Sequence, residues 1–238
     1  MSQPIYKRIL LKLSGEALQG DEGFGIDPSI LDRMALEIKE LIEMGVEVGV
    51  VLGGGNLFRG AKLAKAGMNR VVGDHMGMLA TVMNCIYVSD IFRHVGMKTE
   101  VFTPFVCGAF TSLFSKDAAV AAMESGRVIF FAGGTGHPYF STDTGAVLRA
   151  IEIEADAILL AKSIDGVYDS DPAVNENAVK YDSITMEEVL DQKLGVIDLT
   201  ATIMCLENKM PLAVFGLNEE NSIENLMKGE FNGTYVTV

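Results

Sequence analysis

Short apolar runs alternate along this chain with segments whose apolar residues recur at helical spacing. Residues 9–13 form the first run and read as a strand, followed by a glycine-rich loop over 14–26. Asp27 and Pro28 then open a helix, the aspartate as N-cap and the proline in the first turn. Ile30, Leu31, Met34, Ile38, Leu41 and Ile42 keep the 3.6-residue period, and Gly45 stops it. The next strand, 46–52, is broken by Gly53, Gly54 and Gly55. A long helix is predicted over 74–92, with Met76, Leu79, Val82, Met83 and Ile86 as the stripe expected to face the core. A strand at 99–102 and a helix near 117–124 lead to the apolar run 128–132, a glycine turn and a helix to residue 154. A strand at 157–161 precedes a long Asp-rich loop, 163–181. Thr185 and Glu188 have capping-box spacing, a helix is predicted over 200–208, and 212–215 and 235–238 read as late strands.

Strands alternating with helices predict an α/β fold built from βαβ units around a mainly parallel sheet. In such sheets ligands bind at the carboxyl ends of the strands. Glycine loops fall there three times, after Leu13, Leu52 and Ala132.

Composition narrows the picture. The chain has 238 residues, 49% hydrophobic and 21% charged, enough for one large α/β domain or two small lobes. Lys plus Arg number 19 against 32 Asp plus Glu, a net charge of −13. Such a surface repels polyanions and argues against nucleic-acid binding, while a local nest of backbone N–H groups can still hold a small phosphate. Cys85, Cys107 and Cys205 lack C-x-x-C spacing, so they read as small buried hydrophobes. His75, His94 and His137 are too scattered for a histidine metal site. The polar stretch 1–8 does not read as a signal peptide, and no apolar run is expected to reach the length of a bilayer span. The expectation is a cytoplasmic protein with no membrane partner.

The chemistry concentrates in four segments. In 128–143, strand, glycine turn and helix N-terminus together make an anion site. Ser141 and Thr142 can donate to phosphate oxygens, and Asp143 could hold a magnesium or an amide. The plainer alternative is a strand-to-helix turn capped by Thr142 or Asp143. In Leu11–Glu16 a lysine, Lys12, sits within an apolar strand and needs a partner for its ammonium. It could reach a transferring phosphate beside Ser14 and Gly15, or snorkel from an edge strand. In 51–60, Gly53 to Gly55 give bare backbone over which two anionic ligands can meet. Arg59 beyond them could neutralise phosphate, or form a surface salt bridge. The run Asp165-Gly166-Val167-Tyr168-Asp169-Ser170-Asp171-Pro172 suits a loop around a ribose or a cation, or a solvated turn. A P-loop, the protein-kinase signature set and a full dinucleotide fingerprint are all missing from the sequence.

With these segments in this order, the chain resembles the amino acid kinase superfamily and, within it, the bacterial UMP kinase family. The resemblance rests on Lys12-Leu-Ser-Gly-Glu-Ala-Leu, Gly23-Phe-Gly-Ile-Asp, Gly53-Gly-Gly-Asn-Leu-Phe-Arg-Gly and Gly73-Asp-His-Met-Gly-Met-Leu-Ala-Thr-Val-Met-Asn. Gly134-Thr-Gly-x-Pro-x-Phe, Asp143 and Asp165-Gly-Val-Tyr-x-x-Asp-Pro complete it. It implies a three-layer αβα sandwich, with an acceptor lobe over about 1–155 and an ATP lobe over about 156–238. It implies transfer of the ATP γ-phosphoryl to UMP, with Mg2+.

The same resemblance assigns residues. Lys12, Arg59, Asp143 and Asp198 would be catalytic, the two carboxylates organising Lys12 and the metal. Gly54, Asp74 and the run Thr135, Gly136, His137, Pro138, Tyr139, Phe140, Ser141 and Thr142 would bind UMP, with Asp74 on the ribose hydroxyls. Lys12, Leu13, Ser14, Gly15, Gly55, Arg59, Lys162, Tyr168 and Asp171 would bind ATP. Family members are usually hexamers activated by GTP and inhibited by UTP, and the long helix would lie at or near a subunit contact. Effector contacts would come from Gly20, Asp21, Glu22, Gly23, Phe24 and Gly25, and from Arg93 and Arg127. The chain departs from the family at Lys162-Ser163, where Thr-Lys or Lys-Asn is frequent, and at His137, Tyr139 and Ser141. Two rival readings remain at this level: a kinase of the same fold with another small acceptor, and a nucleotide-binding protein without turnover.

Overall fold

The computed structural model describes residues 4–20, 23–58, 67–217, 219 and 221–238. The described strands form one sheet. They are β1 (Arg8–Leu13), β2 (Glu47–Leu52), β3 (Lys98–Thr103), β4 (Ser112–Leu113), β5 (Arg127–Phe131), β6 (Ala157–Lys162), β7 (Ser183–Thr185), β8 (Leu212–Gly216) and β9 (Thr234–Thr237). Their spatial order is β4-β3-β5-β2-β1-β6-β8-β9-β7, and only the β8–β9 pairing is antiparallel. The described helices are α1 (Gly15–Leu18), α2 (Pro28–Glu43), α3 (Arg70–His94), α4 (Lys116–Glu124), α5 (Thr142–Glu152), α6 (Met186–Asp191), α7 (Leu199–Asn208) and α8 (Ser222–Lys228).

Strand alternation sorts the core into two layers. Ile9, Leu11 and Leu13 of β1 pack on the side of α2, α3 and α8, while Leu10 packs on the side of α4, α5, α6 and α7. The result is the expected αβα sandwich. The same alternation puts Lys12 on the Leu10 face, beneath α5. Capping follows the sequence: Asp27 accepts from the Ser29 backbone N–H at 2.8 Å with Pro28 in the first turn, and Thr185 and Glu188 form the capping box. The sequence pattern gives no sign of β4, β7 or α8, whose runs of two, three and seven residues are too short to show a period.

Helix α3 corrects two expectations. First, it is 25 residues long and averages a hydropathy of 1.2 over an 18-residue window, so by length and composition it could cross a bilayer. Polar residues such as Asn84 and Ser89 interrupt its apolar positions, so no continuous run announces that length. Second, the stripe expected in the core is largely outside it. Val82 is buried, but Met76, Leu79 and Met83 are 40%, 49% and 61% exposed. The inner face is taken by Ala80, Thr81, Asn84, Cys85, Val88 and Ser89. Polar groups stand there because neighbouring loops and strands need hydrogen-bond partners: the Ser89 hydroxyl meets that of Thr99 on β3 at 2.8 Å.

Burial pushes the Cys85 and Cys205 thiols up to about 12, as fits their reading as inert core residues. Cys107 is half-buried.

Candidate active site

The carboxyl ends of β1, β2, β5 and β6 lie side by side. Leu13 pairs in register with Leu52 and with Ala161, and Val51 with Phe131. The three glycine loops therefore leave the sheet at one edge. Those after β1 and β2 touch so closely that side chains would separate them. A Cβ on Gly15 would lie 2.7 Å from the Gly55 nitrogen and 2.9 Å from that of Asn56, and one on Gly53 would lie 2.7 Å from the Gly15 nitrogen. Only glycine allows backbone N–H groups of two loops to crowd one spot.

Lys12 is buried beside these loops, with Nζ 2.7 Å from Asp143 Oδ1 at the start of α5. That oxygen is buried and accepts no aligned hydrogen bond, so the contact is ionic. The snorkelling alternative for Lys12 is set aside, since β1 is a central strand with neighbours on both sides. The N-cap of α5 is Ser141, not Thr142 or Asp143; its hydroxyl accepts from the Thr144 N–H at 3.1 Å. Freed from capping, Asp143 reaches Lys12.

Asp198 stands behind this pair. It caps α7, accepting from the Ala201 N–H at 3.0 Å, and accepts hydroxyl bonds from Ser141 and from Thr144 at 2.9 Å. Burial pulls its pKa upward, but the bonds from Ser141, Ala201 and Thr144 outweigh burial and hold it below the usual carboxylate range. Its oxygens thus act on the N-terminus of α5 rather than on Lys12. The sign of the linkage is fixed by that depression. Asp198 contributes stability that is complete above its unfolded pKa of about 3.9 and lost as pH falls through the lower folded value. Asp198→Ala is expected to lower Tm at pH 7 by about 3–8 °C, for a lost bond network of ~1–3 kcal/mol. Calorimetry against pH should show the difference shrinking as pH falls below about 3.9.

Two clefts flank the Lys12–Asp143 pair. One, of about 440 Å³, is lined by Gly54 and Gly55, by Arg70 and Asp74 of α3, and by Thr135, His137, Phe140, Ser141 and Thr142. Gly136, Pro138 and Tyr139 do not line it. Gly136 has a φ of +82° and backs onto Pro104, and the Tyr139 ring lies under the Arg70 guanidinium at 5.4 Å. Tyr139 itself has a φ of +73°, uncommon for a side-chain-bearing residue. Its N–H donates to Asp74 Oδ2 at 2.8 Å, and Arg70 Nε donates to Asp74 Oδ1 at 2.8 Å.

The second cleft, of about 470 Å³, lies between the 164–172 loop and residues 192–196. Lys162, Tyr168 and Asp171 line it. Lys162 donates to the Val196 carbonyl, and burial pushes its pKa down, partly offset by the charge of Asp143. Asp171 turns back on its own loop, accepting from the Ala173 N–H at 2.9 Å. Asp165 is spoken for: it accepts from Tyr168 Oη at 2.6 Å and from Lys180 Nζ at 2.8 Å. Ser14, ahead of Gly15, caps the short α1 through a bond from the Ala17 N–H at 3.1 Å.

Residues that the sequence reading passed over hold these loops in place. Thr81 Oγ1 accepts from the Gly133 N–H at 2.8 Å. Asn84 and Asn56 exchange side-chain bonds in the interior, at 2.7 and 3.1 Å, and Asn84 also donates to the Gly53 carbonyl at 2.7 Å. One face of α3 therefore ties down the glycine loops after both β2 and β5. The signal was polar residues at inward helical positions, masked by the more numerous apolar ones around them.

The assigned effector residues are spread out. Gly20, Gly23, Phe24 and Gly25 form a loop that meets Asn56, whose Nδ2 donates to the Gly25 carbonyl at 2.8 Å. Arg93 lines a separate groove of about 360 Å³ near the end of α3, and Arg127 does not. Arg59, Asp21 and Glu22 lie outside the described residues.

The chain belongs to the amino acid kinase family, whose sequence pattern matches residues 7–216 and so spans the glycine loops, Lys12 and Asp143. Within that family it is similar to uridylate kinases. It is 56% identical over 236 residues to that of Pasteurella multocida (strain Pm70), covering 99% of this chain and 98% of that protein. It is also 56% identical over 237 residues to that of Actinobacillus pleuropneumoniae, covering all of both chains. Among solved structures, the UMP kinase from Bacillus anthracis matches with a TM-score of 0.93 at 34% identity, over 98% of this chain and 96% of the other.

Proposed function

We propose that this chain is a UMP kinase: it transfers the γ-phosphoryl group of ATP to UMP, giving UDP and ADP. The observation that carries the reading is the buried Lys12–Asp143 pair between two clefts: Thr142, next to Asp143, lines one, and Lys162, within reach of both charges, lines the other. Likeness to uridylate kinases over the whole chain supports the choice of acceptor.

The cleft at Asp74, Thr135, His137, Phe140, Ser141 and Thr142 takes UMP, and the cleft at Lys162 and Tyr168 takes the ATP nucleoside. This divides the chain into an acceptor lobe over about 1–155 and an ATP lobe over about 156–238. The two phosphate chains meet over Gly15, Gly54 and Gly55, whose backbone N–H groups hold their oxygens. Leu13 and Ser14 lead the backbone into that meeting point. The UMP phosphate acts as nucleophile through one of its oxygens, so positioning and charge stabilisation carry the catalysis. Lys12 sits where charge gathers on the transferring group, and Asp143 fixes its ammonium. Asp198 holds the α5 N-terminus, through Ser141 and Thr144, so that Asp143 keeps its place. Arg59 neutralises phosphate from the second glycine loop.

A magnesium ion suits the donors present. Asp143 is an anionic carboxylate whose Oδ1 holds Lys12, which leaves its second oxygen for a cation, and Mg2+ commonly takes one or two carboxylates together with substrate phosphates. Asp143 would hold it, and the ion would neutralise charge on the ATP phosphates.

The outer face of α3 supports the assembly that the family likeness suggests. Val72, Met76, Leu79, Met83 and Tyr87 recur there at spacings of three and four and are exposed in the single chain. We assign that face to a subunit contact in a homohexamer. The Arg93 groove and the Gly20–Gly25 loop are the places where GTP or UTP would act.

Asp74 gives a direct test of the acceptor cleft. Asp74→Asn weakens a charge-assisted contact of ~1.4 kcal/mol, so the KM for UMP is expected to rise about tenfold. Initial rates with each substrate varied separately should show the ATP KM within twofold of wild type. An effect confined to ATP would move Asp74 to the other site.

A further inference from the structure

We propose that Lys180 is a positioning residue for ATP, acting through Asp165 on the orientation of Tyr168. This rests on the reading of the 470 Å³ cleft as the ATP site. Asp165 and Tyr168 stand out in the sequence but Lys180 does not, because it lies fifteen positions beyond Asp165 along an irregular loop.

The geometry is closed on every side. Residues 167–169 run antiparallel to 179–181. Tyr168 and Lys180 form an isolated bridge, the Asp169 N–H donates to the Val179 carbonyl at 3.0 Å, and the Tyr181 N–H donates to the Val167 carbonyl at 2.9 Å. From this ladder the Lys180 side chain turns back beneath Gly166. A Cβ on Gly166 would lie 2.8 Å from Lys180 Cδ, so the glycine clears the path of the lysine stem. Lys180 Nζ then donates to Asp165 Oδ2 at 2.8 Å and to Asn232 Oδ1 at 3.0 Å. The other oxygen of Asp165 accepts from Tyr168 Oη at 2.6 Å. Gly216 leaves room for Asp165, since a Cβ there would lie 3.3 Å from the Asp165 Cα.

The Asp-Gly-Val-Tyr run thereby acquires a physical account. Its aspartate is a relay between a lysine and a tyrosine, not a ligand for a cation. Burial raises the Asp165 pKa, but the bonds from Lys180 and Tyr168 outweigh it, so the carboxylate stays ionised and keeps the phenol as donor. With the hydroxyl fixed at its far end, the Tyr168 ring holds one orientation on the wall of the cleft. Without Lys180, Asp165 loses its counter-charge and the ring loses that constraint. A nucleoside must then order the wall on binding, and affinity falls.

The test is steady-state kinetics on the full chain, with folding checked by circular dichroism and thermal melting. Lys180→Met is expected to raise the ATP KM about five- to tenfold, with kcat and the UMP KM within twofold of wild type. Lys180→Arg, which keeps the charge and the donors, should recover most of the ATP affinity. Tyr168→Ala reports on the cleft itself. If Tyr168→Ala raises the ATP KM and Lys180→Met does not, the positioning role is overturned while the ATP cleft stands. If neither moves it, the cleft assignment fails as well. Equal losses for both substrates in Lys180→Met would mean general loosening of the fold, and would also overturn the proposal. Should Lys180→Met not fold, Asp165→Asn removes the same link, and an unchanged ATP KM in that variant would be equally contradictory.

Discussion

Replacing Lys12 by alanine is expected to reduce kcat by about 10²–10³-fold while leaving the fold and UMP binding intact. The size follows from the loss of a preorganised charge aimed at the transferring group. Lys12 lies in a central strand and is buried, with Asp143 as its ion-pair partner at 2.7 Å. Its charge is therefore held in place before substrate arrives, and little reorganisation is needed at the moment of transfer. Truncation leaves a small void at the strand end, but it also leaves Asp143 without its counter-ion. Lys12→Met should separate these effects, since it fills the space without the charge. Both variants should bind UMP with a Kd near that of wild type by calorimetry, because the loss falls on the transition state. A kcat within a few-fold of wild type in Lys12→Met would remove the lysine from the chemistry.

The second large effect is expected at a residue with no functional group. Gly15→Ala adds one methyl group, and that methyl would sit 2.7 Å from the Gly55 nitrogen and 2.9 Å from the Asn56 nitrogen. Backbone atoms cannot rotate aside as a side-chain end can. The loop after β1 must separate from the loop after β2 by several tenths of an ångström to about one ångström. In the proposed site both loops supply N–H groups to the phosphates, so donors to both substrates would be displaced together. Misplacement on this scale is expected to lower kcat/KM for ATP and for UMP by about 10²-fold each. Gly53→Ala presses on the Gly15 nitrogen from the other side, at 2.7 Å, and should give the same pattern. Circular dichroism and melting should show a folded protein, since the two loops lie at the sheet edge rather than in its core. A loss confined to one substrate would mean that the loops bind their ligands independently.

How much of this the sequence discloses differs from residue to residue. The order of strands and helices, and the glycine loops at strand ends, follow from period and punctuation alone. So does the inward side of Lys12, because alternation along β1 places it with Leu10. Sequence likeness, not spacing, supplied the acceptor and singled out Asp74 and Asp198. What stays hidden is which groups meet across elements. Nothing local to Asp198 indicates that its oxygens serve Ser141 and Thr144, more than fifty residues away. Helix α3 shows the limit of periodicity most clearly. Its bulky apolar residues and its polar ones both recur at helical spacing, and hydrophobicity alone assigns the bulky set to the core. The structure instead turns Thr81 and Asn84 inward, where backbone groups of the glycine loops require partners. It leaves Met76, Leu79 and Met83 outside. The cap of α5 falls at Ser141, one or two residues before the positions the sequence favours, for a related reason. Ser141, Thr142 and Asp143 are all good caps, and only the tertiary partner of Asp143 decides among them.

The most direct measurement is ADP release from Mg-ATP with UMP, CMP, dTMP, AMP, carbamate and glutamate offered one at a time. Turnover with UMP alone, or far above that with CMP, is the predicted result. Faster turnover with any other acceptor would overturn the assignment of the Asp74 cleft to UMP, and ATP binding without turnover on any of the six would contradict the account of the site as catalytic.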